Sequence, residues 1–174
     1  KTSILIVEDE RIVALDIENS LSTAGYGIAG QTDRGENAVM LAKEMRPDLV
    51  LMDIGLRGEM DGIEAAIQIR HQYDLPIIFL TAFTTPTILE RARKAEPFGY
   101  VVKPFEEREL ISNIEMAIYK HTTERKLRAS ENKFRGVIEN SSDAIALTDE
   151  HGCLIEWNRA AEQITGLKRS NVLG

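Results

Sequence analysis

Short, almost wholly apolar runs alternate with amphipathic stretches over roughly the first 120 residues. Strand-like runs fall at Thr2–Val7, Tyr26–Gln31, Leu49–Met52, Ile77–Thr81 and Gly99–Val102. Between them, helical periodicity is expected near Arg11–Ala24, Gly35–Met45, Gly62–Gln72, Pro86–Ala95 and from Glu106 onward. Val13, Ile17, Leu21 and Ala24 share one stripe of the first such segment, and Leu110, Ile114, Ala117 and Ile118 share one of the last. Regular alternation of strand and helix predicts a doubly wound parallel sheet of five strands covered on both faces.

Strands buried on both faces need apolar centres, and "ILIV", "LVLM" and "PIIFL" supply them. Such sheets hold ligands beyond the carboxyl ends of their strands, where the strand order reverses. The polar residues at those ends are Glu8 and Asp9 after the first strand, Asp53 after the third, Thr81 after the fourth and Lys103 after the fifth. They are expected to converge on one rim.

Carboxylates crowded on a dry rim repel one another and resist ionisation. A divalent cation relieves that conflict, and Mg²⁺ favours a few carboxylates, waters and a substrate phosphate over a complete protein cage. Glu8, Asp9 and Asp53, with a strand-end carbonyl at Gly55, suit it. A lysine (Lys103) and a hydroxyl (Thr81) beside one carboxylate are what formation of an aspartyl phosphate requires. Glu10 reads as a helix-start acid, and His71, His121 and His151 stand beside no nucleophile.

The motifs "ILIVEDE", "LVLMDIG", "IIFLTA" and "GYVVKPF", in this order, resemble the receiver domain of two-component response regulators. The resemblance implies a flavodoxin-like fold in which Asp53 takes a phosphoryl group from a histidine kinase or phosphotransfer protein. It implies Mg²⁺ held by Glu8 and Asp9, Thr81 as the hydroxyl that turns toward the phosphate, Lys103 as its lysine and Tyr100 as an aromatic switch. The loop "DIGLRGEMDG" lacks the proline usual after the acceptor and is one residue longer than the family's. Phe83, two positions after Thr81, occupies a site where the family varies and tunes phosphoryl lifetime.

After Lys120 a polar helical stretch continues to about Glu139 and is expected to act as a linker, with pairing of two copies through it as a possible homodimer. Beyond it, "DAIALTD", the "EHG" turn and "WNRAAEQITG" resemble the beginning of a PAS sensor domain. The expected organisation is a receiver domain over 1–120, a linker helix over 121–139 and a truncated α+β PAS segment over 140–174. Within that segment, Ile155 and Trp157 are expected to leave apolar surface on one side of a hairpin.

The leading expectation is a phosphoacceptor switch that regulates a PAS-containing output, with no enzymatic activity beyond phosphoryl acceptance and slow autodephosphorylation. One alternative is the front of a longer hybrid sensor histidine kinase. A dehalogenase-like phosphatase also uses a strand-end aspartate and Mg²⁺, but it needs a second aspartate where this chain has Gly55.

Composition narrows the setting without changing that picture. The chain has 174 residues, 43% hydrophobic and 28% charged, with a net charge of −7. The negative balance argues against a nucleic-acid partner, whose phosphates need a basic footprint. No apolar run approaches the ~18 residues of a membrane span. The opening "KTSILIVEDE" lacks the layout of a signal peptide, and the single Cys153 excludes an internal disulfide, so a cytoplasmic location is expected.

Overall fold

The computed structural model describes residues 1–82 and 85–173, so Phe83 lies outside the described residues. Two compact units divide the chain, Lys1–Thr122 and Thr123–Gly174.

The first unit contains strands β1 (Ser3–Val7), β2 (Gly27–Thr32), β3 (Leu49–Asp53), β4 (Ile77–Thr81) and β5 (Gly99–Val102). All pair in parallel, in the order β2-β1-β3-β4-β5. Helices α1 (Arg11–Thr23), α2 (Gly35–Met45), α3 (Gly62–Tyr73), α4 (Pro86–Arg93) and α5 (Glu107–Glu139) connect and follow them. This is the flavodoxin-like, doubly wound arrangement.

Alternation along the strands divides the core into two layers. Leu5, Val50 and Phe79 pack with Ala38 of α2, Ile63 and Ile69 of α3 and Ala92 of α4. Ile4, Leu51 and Leu80 face the other way, against Ile17 and Leu21 of α1 and Leu110, Ile114 and Ala117 of α5. The strand order reverses between β1 and β3, which opens a crevice at their carboxyl ends. Element ends lie within a residue or two of those expected; β3 runs through Asp53 itself.

The long loop between β3 and α3 is braced at several points. Glu36 Oε1 of α2 accepts the Met60 backbone N–H at 2.9 Å. Asp61 caps α3 by accepting from the Glu64 N–H at 2.9 Å, while Glu64 reaches back to the Asp61 N–H. Arg91 of α4 pairs with the same Asp61 at 2.6 Å. Gly62 then lets the chain pass so close to β3 that a Cβ there would lie 1.8 Å from the Asp53 carbonyl oxygen.

The second unit holds the end of α5, an antiparallel pair β6 (Ala146–Thr148) and β7 (Leu154–Trp157), and the short helices α6 (Arg159–Thr165) and α7 (Arg169–Val172). At the turn before β7, Asp149 Oδ1 accepts the N–H groups of His151 and Cys153, both at 2.9 Å. Asn158, fully buried, joins the pieces. Its Oδ1 accepts from Ile145 and Ala161, and its Nδ2 donates to the carbonyls of Ile138 and Asp143, each at 2.9 Å. Arg169 bridges Glu139 and Glu156 at 2.9 and 2.6 Å. Ile155 is exposed, whereas Trp157 is half-buried and donates Nε1–H to the Leu167 carbonyl.

Candidate functional site

Lys103 occupies the centre of the rim. Its Nζ lies 2.9 Å from Asp53 Oδ2 and 2.5 Å from Glu8 Oε2. The lysine follows β5 directly, and its backbone N–H donates to the Thr81 carbonyl at 2.8 Å, which ties its position to the end of β4. The peptide bond from Lys103 to Pro104 is cis.

The other Asp53 oxygen, Oδ1, accepts the Gly55 N–H at 3.0 Å, so both carboxylate oxygens have assigned directions. Glu8 is likewise held, with Oε1 accepting the Glu10 N–H at 3.1 Å. Carboxylate oxygens of Glu8, Asp9 and Asp53 lie within 4.8 Å of one another. Glu8 and Asp53 are buried, while Asp9 is half-exposed.

These residues line a pocket of about 400 Å³ that also includes Gly55, Arg57, Thr81, Ala82 and Ile88. Thr81 is buried at its wall. Tyr100 stands three residues before Lys103 on β5, its ring 5.9 Å from that of Phe79, with its hydroxyl buried and no hydrogen-bond partner among the described residues.

Electrostatics follows from this crowding. Burial pushes the Glu8 carboxyl up to about 7, the Asp53 charge adds to the rise, and Lys103 offsets only part of it. Burial alone would lower the Lys103 ammonium, but its hydrogen bonds to Glu8 and Asp53 prevail and raise it. A cluster of three carboxylates around one half-buried ammonium, with an open side, favours a further positive charge. The donor set of hard carboxylate oxygens fits Mg²⁺.

Residues 4–115 match the response regulator receiver domain, and residues 132–174 match the PAS fold. The chain belongs to the response regulator receiver family. The transcriptional regulatory protein PdtaR of Mycobacterium tuberculosis is 43% identical over 115 residues, which cover 66% of this chain and 56% of that protein. The chain therefore spans little more than half the length of this relative. The signal receiver domain of a modulated diguanylate cyclase from Desulfovibrio desulfuricans G20 is 42% identical, with a TM-score of 0.68 over 70% of this chain and 97% of that one. The N-terminal domain of a response regulator/sensory box/GGDEF protein from Carboxydothermus hydrogenoformans is 40% identical, with a TM-score of 0.64 over 71% and 98%. This is thus a receiver domain of the two-component type joined to a PAS segment.

Every rim residue expected from the sequence lines the receiver pocket, apart from Tyr100, which packs in the core layer beneath it. Sequence reading missed Arg57, whose exposed guanidinium lies 3.2 Å from Asp9 Oδ2. Its only signal was a basic residue inside a loop already known to be unusual. Ile88 of α4, which adds apolar surface to the pocket beside Ile54 and Ala82, was also missed.

Proposed function

We propose that Asp53 is the phosphoacceptor of a two-component phosphorelay. The observation that carries this reading is Lys103, whose ammonium is shared between Asp53 and Glu8 at the mouth of an acidic pocket. Asp53 attacks the phosphorus of a phosphohistidine on a histidine kinase or phosphotransfer protein. The phosphorus–nitrogen bond breaks, its electron pair stays on the imidazole, and an acyl phosphate forms on Asp53. Glu8, Asp9 and Asp53, with Gly55, would hold Mg²⁺, which when bound supplies charge neutralisation for the phosphoryl oxygens.

Within the chain, Gly55 orients Asp53 by donating to Oδ1, which leaves Oδ2 and its lysine facing the pocket. Lys103 then passes from the carboxylate to the phosphoryl group as negative charge moves outward. Thr81 offers its hydroxyl from the end of β4. Tyr100, with a buried hydroxyl, couples that change to the face of β5 and α4 and so to the PAS-containing output. A water later hydrolyses the acyl phosphate and restores Asp53, so the chain's own chemistry is confined to gaining and losing this group. A cytoplasmic location suits such a donor.

The acceptor can be read directly by treating the protein with acetyl phosphate and Mg²⁺, reducing with borohydride and mapping peptides. Reduction of an acyl phosphate leaves homoserine at the acceptor position. Homoserine at 53 is expected; homoserine elsewhere, or none where another receiver domain is labelled, contradicts the proposal.

A further inference from the structure

The part of α5 inside the second unit is polar on every side but one. Between Thr123 and Val137 its large apolar residues are Leu127, Phe134 and Val137, and these are 60%, 59% and 65% exposed. Their spacing of seven and then three places them, with Thr123 and Ser130, on a single stripe of alternating fours and threes. In heptad terms Leu127 and Phe134 take a, and Thr123, Ser130 and Val137 take d. A helix of otherwise polar or small residues has no reason of its own to expose three large apolar groups in that register.

The flanks of the stripe carry charges of opposite sign. Glu124 and Glu131 lie on the e side, and Lys126 and Lys133 on the g side. When two such helices lie parallel and in register, g faces the following e of the other helix, which sets Lys126 against Glu131 twice per pair. An antiparallel arrangement sets lysine against lysine and glutamate against glutamate. We propose that this stripe is a homodimer surface on which α5 pairs with α5 of a second copy, parallel and in register, through Leu127, Ser130, Phe134 and Val137. The inference stands apart from the chemistry of Asp53.

Sedimentation and light scattering on the 174-residue chain read the association directly. A dimer is expected, and Leu127→Glu or Phe134→Glu should yield a folded monomer, since both side chains already face solvent. Lys126→Glu and Glu131→Lys should each weaken self-association, while an equimolar mixture of the two variants should re-form a dimer. Orientation is tested by Val137→Cys in a Cys153→Ser chain. Oxidation should link two copies through residue 137, because only parallel pairing brings that position beside itself. A monomeric wild type, a dimer that survives both glutamate substitutions, or a dimer with no link at 137 would each overturn the proposal.

Discussion

Lys103 Nζ lies 2.9 Å from Asp53 Oδ2 while also touching Glu8, so one ammonium holds two buried carboxylates together across β1, β3 and β5. Removing it takes away the cation that both carboxylates face and pushes the Glu8 carboxyl further toward its protonated form. Lys103→Met is expected to slow labelling by acetyl phosphate by roughly 10²-fold, the usual cost of losing one preorganised donor at a developing charge. Stopped-flow or timed mass measurements give that rate, and an unchanged rate would remove Lys103 from the phosphoryl-transfer step.

Glu8 makes stability depend on pH in a direction that can be worked out. Its folded pKa, about 7, stands above the ordinary value of 4.5, so between those values the folded chain binds more protons than the unfolded one. Stability of the metal-free protein should therefore fall as pH rises through that window and level off above it. Asp61 moves the other way: burial would raise it, but its backbone hydrogen bonds and Arg91 lower it below 3.8, so its contribution is lost only at more acid pH. Thermal melts of wild type and Glu8→Gln check this, with the slope flattened in the variant. A slope equal in both would mean that Glu8 is ionised throughout.

Gly62 is required by distance, with no positive φ involved. A methyl group there would meet the Asp53 carbonyl oxygen at 1.8 Å and Ile54 Cα at 3.1 Å, all backbone atoms that cannot rotate away. Gly62→Ala should cost about 3 kcal/mol or more, at the upper end of overpacking effects. Because the displaced atoms belong to the acceptor residue itself, the same variant should label more slowly. Chemical denaturation together with the labelling rate tests both, and a variant as stable as wild type would show that the loop yields easily.

Asn158 holds the second unit through four hydrogen bonds from one buried side chain. Asn158→Ala would strand two N–H donors and the Asp143 carbonyl, at about 1–3 kcal/mol for each group left unsatisfied, while the Ile138 carbonyl keeps the Ser141 N–H at 3.3 Å. Hydrogen exchange should quicken at Ile145 and Ala161 while the strands of the receiver unit keep their protection. Unchanged exchange at those amides would mean that water replaces the side chain without loss.

The rim was legible because an acid or lysine at the end of an apolar run is conspicuous: the strand pattern places Glu8, Asp53, Thr81 and Lys103 before any contact is known. The parallel sheet followed from the same runs. What stayed hidden depends on through-space relations. Glu36 bracing Met60, Arg57 reaching Asp9 and the passage of Gly62 against Asp53 join segments whose separation carries no periodic signal. The role of Asn158 in gathering Ile138, Asp143 and Ile145 needed the hairpin to be folded. The four-residue helix α7 is too short to show a period at all.

The central claim, Asp53 as the phosphoacceptor, meets its most direct test in the intact mass of the protein after incubation with acetyl phosphate. The account predicts a gain of one phosphoryl group in the wild type with Mg²⁺, loss of that gain on chelation, and none in Asp53→Asn. A gain that persists in Asp53→Asn, or no gain where another receiver domain is labelled, would contradict it.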